Sequence, residues 1–226
     1  MSRFGDVTKE WVEPMRVIKF SHSCVRIEND GAVLVIDPGS FSEADALDGV
    51  DAVLITHEHA DHLDLGKLTD ALAKRPSVTV HTHADVIDKL GELTDVATAV
   101  AAGDEFTAAG LAVRAYGGLH ALIHPDVPRV ANLGFLVTGE QNLYHPGDSF
   151  DRPGDAQVDT LFVPVSAPWL RVAEAVEFVR AVAPRRAFAL HDAILNANGH
   201  GLVDGLMSRL SKADYTRLDP GAQVWP

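Results

Sequence analysis

The spacing of hydrophobic positions predicts a protein in which short strands alternate with helices. Three runs rich in Val and Ile lie at 15–20, 24–28 and 32–37, and the turn sequence Asn-Asp-Gly separates the second from the third. Apolar runs joined by such a tight turn are typical of a β-meander. The run at 51–56 is apolar almost throughout, which indicates a strand buried on both faces.

The rest of the chain continues this alternation, with no linker or low-complexity segment. Helices are predicted at 64–75, 84–91, 171–182 and 200–212. Further strands are predicted at 77–82, 95–100, 111–116, 132–138, 141–147, 158–165, 187–190 and, as a final edge strand, 215–218, with a loop at 117–129. Two similar β-rich halves with outer helices would make an α/β fold, a four-layer αββα sandwich whose strand-end loops meet at one edge. We expect one domain over residues 1–226.

Composition and charge limit the cellular compartment and the classes of partner that we expect for this protein. Hydrophobic residues make up 46% of the chain, which is ample for a large core. There is no run of 18 apolar residues, no signal-peptide pattern at the start, and a lone cysteine, Cys24, excludes an intramolecular disulfide. The formal net charge of -13 disfavours binding to a nucleic-acid backbone. We therefore expect a cytoplasmic protein that acts on a small molecule, with neither nucleic acid nor membrane as a partner.

Residue types that bind metals cluster where predicted strands end. The segment THEHADHLD, at 56–64, places three histidines and three acids directly after a buried strand. His57 and His59 can reach one ion from an extended segment, while Asp61 and His62 can serve a second. Similar candidates follow later strands: His120, Asp148 and His191. Imidazole nitrogens and carboxylate oxygens suit zinc, and also iron or manganese, and a carboxylate such as Asp148 can bridge two ions.

The motif THEHADH resembles the signature of the metallo-β-lactamase-fold hydrolases, and the likeness runs in the right order from Arg16 to Leu218. The opening KFSHSCVRIENDGAVLVIDPG resembles one branch in particular, the ascorbate-6-phosphate-lactonase-like proteins, as do GGLHALIHPDVPRVANLGFLV and LYHPGDS. That branch carries Gly-His-Ser near its first strand, where this chain has Ser21 in place of the glycine. The resemblance implies an αββα sandwich with a two-metal site between its halves.

The resemblance also implies which residues bind the two divalent ions. The expected set is His57, His59 and His120 for the first ion, Asp61, His62 and His191 for the second, and Asp148 between them. In the matching loop, His124 is the alternative to His120. His120 is favoured because it lies closer to the preceding strand, directly behind Gly117 and Gly118, where the backbone can approach an ion closely.

These residues predict a metal-dependent hydrolase with two divalent ions, zinc being favoured over manganese or iron. A hydroxide held between the ions would attack an ester, a lactone or a phosphodiester, Asp61 would orient it, and His124 would protonate the leaving group. Two alternatives stay open: a mononuclear-iron oxidoreductase on the same fold, and a non-catalytic metal-binding module. His59 speaks against oxygen chemistry, because the diiron oxidoreductases of this superfamily carry Glu at that place.

Other residues near the motifs are expected to support the site. His22 is predicted to line the pocket or support the metal ligands, and Asp37 to hold a ligand histidine through its second nitrogen. Trp169, which follows the strand at 158–165, is a candidate wall of the pocket. Cys24 is expected to be a buried small hydrophobe.

Overall fold

Two seven-stranded sheets lie face to face in the computed structural model, which describes residues 14–225. The strands of the first sheet are β1 Arg16–Lys19, β2 Val25–Asn29, β3 Ala32–Ile36, β4 Ala52–Leu54, β5 Thr79–Thr82, β6 Ala97–Ala99 and β14 Ala222–Val224. Those of the second sheet are β7 Glu105–Ala108, β8 Leu111–Leu119, β9 Ala131–Thr138, β10 Asn142–His145, β11 Thr160–Pro164, β12 Arg186–Leu190 and β13 Asp214–Thr216. The strand orders are β14-β1-β2-β3-β4-β5-β6 and β13-β12-β11-β10-β9-β8-β7.

Helices cover the outer face of each sheet. They are α1 Leu65–Lys74, α2 Ala84–Ile87, α3 Val172–Val182 and α4 Ala197–Leu210. The first helix begins after Asp64, whose carboxylate accepts the backbone N–H of Lys67 at 3.1 Å and so pairs one of the free amides of the first turn. Its buried residues recur at helical spacing, which turns one face of the helix onto the sheet. None of the helices in the described part of the chain has the length and apolarity to cross a membrane.

Alternating side chains of the central strands fill two different cores. In β3, Leu34 and Ile36 pack between the two sheets, whereas Val33 and Val35 pack under the helices. A third apolar cluster joins the second sheet to α3 and α4. Because central strands bury both faces, their sequences are apolar almost throughout. The predicted four-layer αββα sandwich is confirmed.

Three local predictions differ from the structure, and strand pairing explains two of them. The predicted helix at 84–91 ends at Ile87 and passes into a 3₁₀ turn at Gly91–Val96. The strand predicted at 111–116 continues to Leu119, because Gly117 and Gly118 pair with β9 rather than forming a loop. The strand predicted at 215–218 is β13, but the last strand is β14, which pairs with β1 in the other sheet. A three-residue strand carries too little pattern to be seen without its partner.

Cys24 lies in the core under the helices and is fully buried, as the sequence predicted. Burial raises the pKa of its thiol to about 12, so the reactive thiolate is scarce at neutral pH. We expect no reaction of the folded protein with Ellman's reagent at pH 8 over an hour, and one equivalent released after denaturation. Rapid labelling of the folded protein would contradict this packing.

Candidate metal centre

The loops that follow several strands meet at one edge of the sandwich. β4 runs into the loop that begins at Thr56, β8 ends just before His120, β10 leads to Asp148, and β12 runs into His191. Neighbouring parallel strands end at the same edge of a sheet, so the two sheets together bring residues more than 130 positions apart into one cluster.

The first candidate ligand group consists of His57, His59 and His120, whose ligand atoms lie within 4.8 Å of one another. The His57 Nε2 and His59 Nδ1 atoms are 3.1 Å apart, and the His59 and His120 rings have centroids 4.7 Å apart. His57 and His120 are buried, whereas His59 is partly exposed. The group therefore opens toward solvent on the side of His59.

The second candidate group contains His22, Asp61, His62 and His191, whose ligand atoms also lie within 4.8 Å of one another. His191 Nε2 lies 3.3 Å from Asp61 Oδ2. Asp148 stands between the two groups: its Oδ1 is 3.2 Å from His62 Nε2, while its Oδ2 is 3.1 Å from His191 Nε2 and 3.3 Å from His120 Nε2. One carboxylate thus faces imidazoles of both groups.

These separations fit a pair of divalent ions. Two ligand atoms on one tetrahedral zinc ion stand about 3.3 Å apart, because zinc bonds to nitrogen and oxygen measure about 2.0–2.2 Å. Within residues 14–225, His120 Nε2 and Asp148 Oδ1 are buried without a hydrogen bond of acceptable geometry. Buried polar atoms without partners are costly, and an ion at either group would give these atoms a partner.

Hydrogen bonds to nearby oxygen atoms determine which ring nitrogen each of four histidines turns toward the candidate groups. The Nδ1 partners are Thr56 Oγ1 for His57 at 2.9 Å, Asp37 Oδ2 for His62 at 2.7 Å, the Ala121 carbonyl for His120 at 2.6 Å and the Ser166 carbonyl for His191 at 2.5 Å. When Nδ1–H donates to an oxygen, the lone pair on Nε2 is free for a metal. The Nε2 atoms of His62, His120 and His191 face Asp148, and that of His57 faces His59.

Asp37 organises the start of the THEHADHLD loop. Its Oδ1 accepts the backbone N–H of Thr56 at 2.8 Å, and its Oδ2 accepts the Thr56 hydroxyl and His62 Nδ1, both at 2.7 Å. Asp37 therefore holds the imidazole of His62 through its second nitrogen, as predicted. Its backbone φ is +52°, a conformation that aspartate adopts more readily than most side chains.

Burial and neighbouring charges favour the charged form of some side chains in the cluster and the neutral form of others. Burial opposes the charge on Asp148, but His62 and His191 outweigh it and hold the pKa of this carboxyl well below its usual range. Burial also opposes protonation of His191, but Asp148 and Asp61 raise its pKa to about 9. At His57 burial dominates and lowers the pKa. Ionised carboxylates beside a neutral imidazole are a suitable environment for a cation.

The loop carrying Asp61 passes so close to Gly39 that no side chain fits between them. A Cβ atom on Gly39 would lie 1.9 Å from the Asp61 carbonyl oxygen and 2.4 Å from the His62 nitrogen. The glycine after the Asp-Pro pair therefore lets the metal-binding loop pack against the end of β3.

The remaining predicted residues fall into different positions. His124 lies on the loop beyond His120 with its side chain 61% exposed, and its Nδ1 accepts the backbone N–H of Asp126. It is absent from the candidate groups found among the described residues, which include His120 instead. Trp169 donates its indole N–H to Asp148 Oδ2 at 3.0 Å and so forms a wall of the site.

Two residues that support the site were missed in the sequence. Asn132 is buried, accepts the backbone N–H of Asp148 through Oδ1 and donates to the Pro146 carbonyl. Lys19 is also buried and donates to the carbonyls of Phe20 and His22. A polar side chain with apolar neighbours on both sides in the sequence was the available signal in both cases.

Replacing Gly39 with Ala is expected to destabilise the protein by about 1–3 kcal/mol, because the methyl group displaces the Asp61 backbone. The same change should weaken metal binding. Gly201→Ala is the matched control, since nothing lies within 4 Å of a Cβ there and Ala favours the helix. Thermal unfolding and metal titration of both variants measure the effect. Equal stability of the two variants would contradict the close approach at Gly39.

Replacing His120 with Ala should lower the metal content of the purified protein by about one ion per chain, because its Nε2 faces both His59 and Asp148. The His124→Ala protein should keep the wild-type content. Elemental analysis after identical purification compares them. Loss of metal from the His124 variant alone would reverse the assignment.

Comparisons with known proteins agree with this fold. Residues 16–191 match the family described as Beta-lactamase superfamily domain. Protein Rv0786c of Mycobacterium tuberculosis is 39% identical over 214 residues, covering 93% of this chain and 99% of that protein. A UPF0173 metal-dependent hydrolase of Aeropyrum pernix is 29% identical over 152 residues, covering 59% of this chain and 61% of that protein. The metallo-beta-lactamase fold protein YhfI of Bacillus subtilis superposes with a TM-score of 0.76 at 17% identity, covering 95% of this chain and 100% of YhfI. The chain belongs to the β-lactamase superfamily.

Proposed function

We propose that this protein is a metal-dependent hydrolase that binds two zinc ions and cleaves a carboxylic ester or lactone that carries an apolar group. The observation that carries the two-ion proposal is the position of Asp148, whose two oxygens face imidazoles of both candidate groups at 3.1–3.3 Å. Manganese and iron suit the same donors, and zinc is preferred for a set dominated by imidazole.

The candidate groups supply a nearly complete protein shell for both ions. The first ion would take His57, His59 and His120, the second Asp61, His62 and His191, with Asp148 shared. When bound, two such ions provide Lewis acidity that activates a water molecule at neutral pH and polarises the carbonyl under attack.

Asp61 is the acidic group placed to orient the attacking water. Its side chain is 24% exposed, whereas that of Asp148 is 4% exposed. Burial opposes its ionisation, but hydrogen bonds from His191 and His22 lower its pKa, so it accepts a hydrogen bond from water across the neutral pH range. His124 is not assigned as proton donor to the leaving group, because its imidazole is turned to Asp126 on an exposed loop.

Apolar side chains surround the opening and favour an apolar substrate. The Phe41 ring is 49% exposed and lies 5.1 Å from the ring of His22. Ile123 and Val127, also exposed, line the same recess as His59 and His120. Apolar surface concentrated around a polar centre is characteristic of small-molecule sites.

Phosphodiesters are less well supported than carboxylic esters. Arg129 uses its Nε to donate to the His120 carbonyl, and Lys67 uses its ammonium to donate to the carbonyls of Gly39 and Ser42. These cations stabilise the loops of the site. The net charge of -13 also disfavours attraction of an anionic substrate.

Protein purified without added metal should contain about two zinc ions per chain and lose activity in a chelator. With p-nitrophenyl esters, kcat/KM should rise at least about tenfold from acetate to hexanoate, because tenfold needs only about 1.4 kcal/mol and each of the added methylenes contributes up to about 0.8 kcal/mol when buried. Bis-p-nitrophenyl phosphate should be a poorer substrate. Alkyl-substituted lactones complete the panel.

Phe41→Ala should reduce this chain-length preference without changing the metal content, and Leu202→Ala, an exposed change on α4, should change neither. One iron per chain with oxygen uptake would instead support the mononuclear-iron oxidoreductase. Two bound ions with no hydrolysis of any ester, lactone or phosphodiester would support the non-catalytic metal-binding module.

A further inference from the structure

His22 is the fourth member of the second candidate group and lies in the turn between β1 and β2. Its side chain is fully buried, its Nε2 is 3.0 Å from Asp61 Oδ2, and its ring centroid is 4.0 Å from that of His191. A histidine in this place can act in two ways. It can bind the second ion directly, or it can donate a hydrogen bond to Asp61 and position that carboxylate.

The backbone around His22 is built to hold the imidazole in place. Its φ is +62°, a left-handed conformation that is costly for a residue with a Cβ atom and persists only where neighbours enforce it. Its carbonyl accepts the Lys19 ammonium at 2.7 Å and the His191 backbone N–H at 3.2 Å. Lys19 is itself 3.7 Å from Asp192, so the same lysine joins the His22 turn to the His191 loop.

The second ring nitrogen distinguishes the two roles. The Nδ1 atoms of His57, His62, His120 and His191 each have an oxygen partner, as expected of histidines that bind a metal through Nε2. Nδ1 of His22 is buried and, within the described chain, has no hydrogen-bond partner. If Nε2 bound an ion, the proton of the neutral ring would lie on this unpartnered Nδ1.

The alternative tautomer is better satisfied. With the proton on Nε2, His22 donates to Asp61 Oδ2, and Nδ1 carries only a lone pair. An acceptor without a partner is tolerated more often in buried positions than a donor without one. One lone pair of Oδ2 then accepts from His22, and the other lone pair stays available for an ion.

We propose that His22 is a positioning residue that orients Asp61 toward the second metal and does not itself bind that metal. This inference rests on the two-ion function proposed above. Hydrogen bonds to metal-binding carboxylates and histidines commonly change metal affinity by about 10- to 100-fold when they are removed. Loss of His22 should therefore lower the affinity for the second ion, while the protein should still bind two ions.

The test compares His22→Ala and His22→Gln with wild type, and uses His83→Gln as a control on a partly exposed histidine that caps α2. Metal-free proteins are titrated with Co²⁺, and both the two affinities and the visible absorption spectrum at saturation are recorded. The His22→Ala protein should bind one ion normally and the other about 10- to 100-fold more weakly. Its saturated spectrum should match wild type, since no ligand has been removed. His22→Gln should restore most of the affinity, because its amide N–H can donate to Asp61.

Unchanged binding of the first ion serves as the folding control for each variant. Wild-type affinity for both ions in His22→Ala would overturn the proposal. A changed cobalt spectrum with no rescue by Gln would also overturn it and would make His22 a ligand. If the wild-type protein binds only one Co²⁺ ion, the proposed two-ion function is wrong, and this inference is wrong with it. That result would be seen before any variant is compared.

Discussion

The buried carboxylate of Asp148 is the group around which the candidate metal centre is arranged. Burying an ionised carboxylate is unfavourable unless charges and hydrogen-bond donors surround it. Here the Trp169 indole donates to Oδ2, Asn132 accepts the Asp148 backbone N–H, and imidazoles from both sheets face the two oxygens. The need to stabilise this buried charge explains why many polar side chains cluster at one end of two apolar sheets.

The turn before Asp148 requires a glycine, because the backbone there lies very close to neighbouring side chains. Gly147 has φ +62°, and a Cβ there would lie 2.3 Å from Asn132 Oδ1 and 2.7 Å from the Cβ of Thr56. His145 adds a link across the sandwich, since its Nε2 is 2.9 Å from the Ser23 carbonyl of the first sheet's hairpin. The position of the carboxylate thus depends on both sheets at once.

Ser21, which stands where the resemblance in the opening motif implies a glycine, has a structural role. It donates its hydroxyl to Glu43 Oε1 at 2.6 Å and its backbone N–H to Glu43 Oε2 at 2.9 Å. Glu43 lies two residues after Phe41, so the serine connects the His22 turn to the loop that carries Phe41. A glycine could make only the backbone half of this contact.

The sequence by itself determined the αββα order and the four neighbouring candidates in THEHADHLD, because strand patterns and ligand spacing are local properties. It left His120 and His124 as alternatives, since both follow the same strand within a few residues. Pairing of Gly117 to Leu119 with β9 carries the strand up to His120 and leaves His124 on an exposed loop. The placement of His22 and Lys19 was likewise decided by tertiary structure. His22 contacts Asp61 on another loop of the first sheet, and Lys19 contacts Asp192 on a loop of the second sheet. No spacing along the chain encodes a distance between segments so far apart.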